Sequence, residues 1–355
     1  MVFSEKMDVR NAFNTAPQQN KDQPFKPGQL SEEQIKHFFN KGWLMVPNLI
    51  EPEVLNGVKE GIERQIDDLA DRLHTAGKIQ HKHEDKGFCQ RITHIEYEFP
   101  GAAILLHKSG ILPGGARELW SHEKILNIGE QLIGSGEIAG HPVWNLRVKL
   151  PDYEVGVVPW HQDNSYFEDE SMKTMILTGW VPLLDTAEFN GGMQMMDGTQ
   201  SSGKLAEHFC CAGGTFYLEI EKDVIEETFG CRLENKTVCE VPYGGVLFFS
   251  NMIVHRSSTN RSNDVRWSMD LRWQDPRQPT GRPSDEKLPL FRSQQTPVKE
   301  IDWSVLTNRQ QNDRKVFLES EKLAEVEFET RLGGPWMKRW PIKHHNRIQI
   351  MRIAN

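Results

Sequence analysis

Val265-Arg266-Trp267-Ser268-Met269-Asp270-Leu271-Arg272-Trp273 alternates apolar and polar side chains over nine positions. Successive residues of an extended strand point to opposite faces, so one face of this segment is oily and the other carries Arg266, Ser268, Asp270 and Arg272. Such a strand either lies half exposed with its polar face in solvent or turns that face into the interior of a barrel. The chain upstream has the same texture. Short runs over residues 143–150, 155–160, 174–183, 215–220, 236–241 and 246–249 are separated by Gly, Pro or Asn, which is how an all-β sandwich or barrel reads.

Helices precede this region. Ser31 with Gln34 forms a capping-box pattern that opens a helix through Phe39 and stops at Gly42, followed by a short strand over 43–46. Over 52–77, Val54, Val58, Ile62, Ile66, Leu69 and Leu73 recur every three to four residues between Pro52 and Gly77, the pattern of an amphipathic helix. A second helix is expected over 117–133, the two covering one face of a sheet. The polar stretch around Arg91, with Ile92, Ile95, Tyr97 and Phe99, reads either as a solvated edge strand or as a pocket wall that presents Arg91 to an anionic substrate. Residues 1–28 are polar and read as a flexible arm. After Trp273 come a proline-rich stretch, a helix over 315–332 and a basic tail. The expected fold class is mostly β with flanking helices: a helical cover over 29–135, a β core over 143–273 and a C-terminal extension over 274–355, all in one domain.

Composition removes several function classes. The 355 residues are 37% hydrophobic and 26% charged, a globular balance. Lys+Arg 42 against Asp+Glu 50 gives a net charge of −8 with no basic block, so no nucleic-acid partner is expected. No apolar run is long enough for a membrane span and no apolar leader is visible, so an intracellular, cytoplasmic protein is expected. The five cysteines are odd in number and lack CxxC spacing, which suits reduced thiols rather than structural zinc.

The chemistry concentrates in three places. His161 and Asp163 are two apart at the end of a run, and residues so spaced on a strand share a face. With a distant His255 they can form the two-His-one-carboxylate facial triad of non-haem Fe(II) oxygenases, which leaves open positions on the metal. An inward Arg266 is suited to pair with a dicarboxylate, and Ser268 shares its face. Arg147 and Lys149 alternate with Leu146, Val148 and Leu150; they either reach the cosubstrate or a substrate carboxylate, or form an outward basic pair.

Together, His161-Gln162-Asp163, the motif His255-Arg256-Ser257-Ser258-x-Asn260-x-Ser262, and Arg266 eleven residues past His255 resemble the phytanoyl-CoA dioxygenase family. The segment Gly179-Trp180-Val181-Pro182-Leu183, the Asn190-Gly191-Gly192 turn and Asp197-Gly198-Thr199 also fit that pattern. The resemblance implies a double-stranded β-helix (cupin-like jelly roll) and a 2-oxoglutarate-dependent dioxygenase (EC 1.14.11 type). Its cofactors would be Fe(II), 2-oxoglutarate and O2, with ascorbate as an accessory reductant. It implies iron ligation by His161, Asp163 and His255 and a cosubstrate carboxylate on Arg266, with Gln162, Trp180 and Ser257 lining the cosubstrate pocket. Halogenating members carry Ala or Gly where this chain has Asp163, so C–H hydroxylation, desaturation or cyclisation of a small-molecule metabolite is the implied reaction. Two other readings of the residues are a non-catalytic cupin-like binding protein, whose mark would be loss of a ligand or of Arg266, neither lost here, and a cupin enzyme using another metal, which has no need of an anchoring Arg266.

Overall fold

The computed structural model describes residues 26–211, 217–282 and 288–295, with shorter pieces between 298 and 343. Seven α-helices are found among these residues: α1 (Glu32–Lys41), α2 (Pro52–Thr75), α3 (Arg91–Glu98), α4 (Ala102–His107), α5 (Ala116–Trp120), α6 (Glu123–Gly129) and α7 (Lys222–Phe229). The strands are β1 (Trp43–Val46), β2 (Ile138–Gly140), β3 (Asn145–Lys149), β4 (Leu177–Pro182), β5 (Met193–Met195), β6 (Phe209–Cys210), β7 (Leu218–Glu219), β8 (Thr237–Cys239), β9 (Val246–Ser250), β10 (His255–Ser257), β11 (Arg266–Gln274) and β12 (Leu290–Arg292). The expected N-terminal arm, apart from residues 26–28, and nearly all of the helix expected over 315–332 fall outside the described residues.

Two antiparallel sheets carry the jelly roll. The larger has the order β1-β9-β4-β11-β2-β12, with β3 also paired to β11; the smaller is β10-β5-β8. A bridge from His161 to His255 extends the smaller sheet by one residue. The strand that opened the sequence reading, β11, is central in the larger sheet: β4 flanks one edge, and β3 with β2 flanks the other. Every residue of β11 is buried. Trp267, Met269, Leu271 and Trp273 belong to the core that the helices cover, together with Val54, Val58, Ile62, Ile66, Leu69 and Leu73 of α2. Both faces of β11 are therefore hidden, and its polar face lies between the sheets rather than in solvent.

Helix ends follow the sequence signals. Ser31 and Gln34 form the reciprocal capping box of α1, and Gly42 closes it at φ 87, a left-handed position that glycine adopts without a Cβ penalty. The second expected helix is instead broken into α5, α6 and a π-turn over Glu130–Gly134, because the chain straightens at His122 (φ −62, ψ 131). The stretch read as a possible edge strand is helical from Arg91 to Glu98. Ile92 and Ile95 are spaced for one helix face, and the buried Glu96 carboxylate accepts from the amides of Gly101 and Ala103 at the start of α4. No strand forms over 155–160, where Gly156 and Pro159 interrupt the ladder. Cys210 and Cys211, expected as thiols, form a vicinal disulfide. Among the described residues no helix is long and apolar enough to cross a membrane.

Helix α2 packs against the turn before α5 so closely that a Cβ on Gly61 would lie 2.3 Å from the backbone nitrogen and oxygen of Gly114. Backbone cannot move aside as a flexible side chain can. Gly61→Ala should therefore lower stability by about 1–3 kcal/mol despite alanine's better helix propensity. Chemical denaturation checks this, and a midpoint equal to or above that of the parent contradicts it.

Candidate active site

Three side chains meet where the sheets face each other. His161 sits at the bridge, Asp163 begins the turn that follows, and His255 starts β10; all are buried. Both imidazoles are oriented by the same local device. His161 Nδ1 donates to the carbonyl of Pro159 at 2.9 Å and His255 Nδ1 to that of Ile253 at 3.0 Å. A neutral ring that donates through Nδ1 keeps a bare lone pair on Nε2. Those Nε2 atoms lie 3.4 Å and 3.7 Å from Asp163 Oδ1. Burial, reinforced by the neighbouring His161, pushes His255 down to about 3, which keeps the lone pair available.

The second oxygen of Asp163 is already engaged. Oδ2 accepts from Arg272 Nη2 at 2.7 Å and Nε at 3.2 Å, and from Thr178 Oγ1 at 3.1 Å. Thr178 on β4 and Arg272 on β11 are direct register partners, so one rung of the ladder grips the carboxylate. Burial would raise this carboxyl, but the Arg272 guanidinium, helped by His161 and His255, holds it well below the usual carboxylate range. Two imidazole nitrogens and one carboxylate oxygen remain, all within 4.8 Å of one another. That donor set fits a divalent first-row ion such as Fe(II) held on one side with positions to spare.

Those positions open onto a small cavity of about 70 Å³. Its charged lining is lopsided: Arg147, Lys149, Arg256, Arg266 and Arg272 against Asp163 and Asp270, in a chain of net charge −8. Arg272 is paired with Asp163, and Arg147 Nε donates to Asp270 Oδ2 at 2.7 Å. Arg266 stacks over Trp180, its guanidinium carbon 5.2 Å from the ring centre, and donates through Nη1 to Ser268 at 2.5 Å. Its buried Nε has no partner, and burial lowers Arg266 to about 10 despite Asp270. Lys149 donates to Ser257 Oγ at 2.7 Å and to the Ser258 carbonyl at 2.5 Å.

Most residues expected at the site are brought together, and three are not. Trp180, Ser257, Arg147 and Lys149 line the cavity with the triad and Arg266. Gln162 points away. Its amide group donates to the Lys204 and Met252 carbonyls and accepts from the Ala206 amide, so it braces the backbone between two potential ligands. Alternation along the extended chain turns it outward while its neighbours turn in. Ser268 is buried beneath Arg266 as a hydrogen-bond acceptor and does not line the cavity. Arg91 sits on α3, bound to Asp67 at 2.5 Å and to the Lys82 carbonyl at 3.1 Å, away from the cavity. Sequence reading missed the Thr178–Arg272 grip, although Arg272 shares the inward face of β11 with Arg266. It also missed His107 and Tyr217 on the cavity wall, because neither carries a motif.

The chain matches the model of the phytanoyl-CoA dioxygenase family over residues 38–268 and belongs to that family. It is 27% identical over 169 residues to the 1-deoxypentalenic acid 11-beta-hydroxylase of Streptomyces arenae, a match covering 44% of this chain and 56% of the relative. The enzyme of the same name from Streptomyces exfoliatus matches equally, also at 27% over 169 residues. The chain thus spans little more than half the length (56%) of these curated relatives. Among solved structures, the apo form of the non-heme monooxygenase ThoJ superposes with a TM-score of 0.52 at 17% identity, covering 80% of this chain and 98% of that one. At that identity the likeness is one of fold.

Two further buried imidazoles set an acid limit. Burial, with Arg147 nearby, lowers His107 to about 4, and burial lowers His208 to about 3. His208 accepts from the Gln162 amide at 3.1 Å. Both groups have folded values below the ordinary histidine range near 6.5, so in that window the unfolded chain binds protons that the folded protein does not. Stability should therefore fall as pH drops below about 6.5, with proton uptake on unfolding approaching one per histidine near pH 5. Denaturation of metal-free protein across this range, with His208→Gln, checks the sign. The variant should lose about one proton of the slope, and an unchanged slope contradicts the assignment.

Proposed function

We propose that this chain is an Fe(II)- and 2-oxoglutarate-dependent oxygenase that oxidises a C–H bond of a small molecule. The observation that carries the reading is the joint placement of the triad and the buried, carboxylate-free Arg266 on one cavity. A metal-binding cupin with another chemistry would need the first but not the second. Family membership supports the same reading.

His161, Asp163 and His255 would hold the iron, which with O2 and 2-oxoglutarate would supply the oxidising power for C–H cleavage, the 2-oxoglutarate being converted to succinate and CO2. The protein residues contribute placement and charge. His161 and His255 present Nε2 because their Nδ1 protons are spent on backbone carbonyls, and Arg272 with Thr178 keeps Asp163 offering Oδ1 alone. Arg266 receives the distal carboxylate of the cosubstrate, steadied by Ser268 below and Trp180 beside it. Trp180, Met193 and Phe249 give the cavity an apolar wall.

The name of the Streptomyces relatives specifies hydroxylation of an acid. Arg147 suits a substrate of that kind. One edge of its guanidinium is held by Asp270, and its carbon lies 6.0 Å from the Tyr217 ring centre at the cavity wall. We assign hydroxylation as the reaction and place the substrate's acid group at Arg147.

His161→Ala and Asp163→Ala should each reduce succinate formation to that of a protein-free control, and chelator treatment should do the same until Fe(II) is restored. Arg266→Gln should raise the half-saturating 2-oxoglutarate concentration by about two orders of magnitude, since truncating one side of a buried hydrogen-bonded charge pair costs about 2–5 kcal/mol. Succinate release with and without added 2-oxoglutarate reads both. Turnover surviving loss of a triad residue contradicts the proposed function.

A further inference from the structure

Lys149 and Arg266 are direct register partners on β3 and β11. Directly opposed residues on adjacent strands bring their Cβ atoms to about 5 Å, and like charges so placed are destabilising. Here both members are buried, 2% exposed each, and among the described residues neither forms an ion pair with a carboxylate. Among the described residues Asp270, already paired with Arg147, offsets Arg266 only in part, and no carboxylate is bonded to Lys149. Lys149 is instead directed by two hydroxyl-bearing neighbours of the distal-histidine motif, Ser257 through its Oγ and Ser258 through its carbonyl.

The fold also makes room for this lysine. Gly191 in the Asn190-Gly191-Gly192 turn adopts φ 87, and a Cβ there would lie 2.4 Å from Lys149 Cδ. Asn260 further fixes the strand by donating to the Lys149 carbonyl at 2.9 Å. A turn glycine and a motif serine therefore converge on the Lys149 side chain, a motif asparagine holds its backbone, and the residue lines the cavity together with Arg266.

We infer that Lys149 is the second cation of the cosubstrate site and that, with Arg266, it selects a 2-oxo acid bearing a distal carboxylate. This rests on the oxygenase reading above. The carboxylate lies between the two opposed cations and relieves their repulsion, so Lys149 is a specificity residue for the cosubstrate rather than a contact for the substrate. Burial, with the charges of Arg266, Arg147 and Arg256, lowers Lys149 well below its ordinary range, in keeping with the cations placed around it.

The test compares 2-oxoglutarate with 2-oxovalerate, which has the same five-carbon chain and 2-oxo acid head but no distal carboxylate. Each is titrated anaerobically into Fe(II)-loaded protein, followed by the visible charge-transfer band and by the shift in melting temperature. The parent should bind 2-oxoglutarate at least about a hundredfold more tightly than 2-oxovalerate, as expected when buried charged groups are left unpaired by the wrong ligand. Lys149→Met, close to isosteric, should weaken 2-oxoglutarate about tenfold or more while leaving 2-oxovalerate within about threefold. Without ligand it should melt no lower than the parent, because it removes an unpaired buried charge. Lys149→Arg should retain the dicarboxylate preference in part, and Gly191→Ala, which displaces the lysine stem, should erode it. Equal weakening of both acids, or unchanged 2-oxoglutarate binding in Lys149→Met, overturns the role of Lys149 alone. If the parent binds neither acid, the oxygenase reading falls and this inference falls with it.

Discussion

Opposed positive charges buried between two sheets are the constraint around which this molecule is arranged. Arg266 and Lys149 face each other on adjacent strands, with Arg147 and Arg272 at other levels of the same inward surface. A protein of net charge −8 has ample carboxylates with which to neutralise them, yet among the described residues only Asp163 and Asp270 line the cavity. Buried charge without a partner is costly, and in a native structure it persists where a ligand completes it. The jelly roll tolerates the arrangement because β11 is central and its apolar face is buried in the core, with Phe88 stacked on Trp267 and Trp120 bonded to the Arg272 carbonyl, so the strand cannot twist its cations out into water.

Asp163 shows how the same surface sets metal chemistry. One rung, Thr178 opposite Arg272, engages Oδ2 and leaves Oδ1 toward the two Nε2 atoms. The histidines are fixed by backbone carbonyls two residues upstream, a contact that needs no further side chain. Gln162, between two of the ligands, is bound on three sides by backbone, so the ligand pair is carried on a braced segment rather than on a mobile loop. Placement of ligands, carboxylate partner and cosubstrate anchor thus comes from one sheet, its opposing bridge and a few main-chain hydrogen bonds.

How far these features could be read from the chain depended on whether they were local. The capping box of α1, the apolar stripe of α2 and the alternation of β11 follow from spacing, and each is present. His161, Asp163, His255 and Arg266 were legible because they sit in motifs. The stretch around Arg91 was ambiguous because Ile92 and Ile95 fit a helix while Ile95, Tyr97 and Phe99 fit a strand; the Glu96 cap on α4, a tertiary contact, decides for the helix. The alternation of β3 left Lys149 open to either face, and its place level with Arg266 follows only from the β3–β11 register, which no local pattern specifies. For Gln162 two signals oppose each other: the family resemblance puts it at the cosubstrate pocket, while strand alternation turns its side chain out, and its partners are backbone groups.

The most direct test of this account is an anaerobic crystal structure with Fe(II) and 2-oxoglutarate, the metal located by anomalous scattering. The account predicts iron on His161 Nε2, Asp163 Oδ1 and His255 Nε2, with the distal carboxylate between Arg266 and Lys149. Metal bound elsewhere, or a cosubstrate carboxylate that touches neither cation, would contradict it.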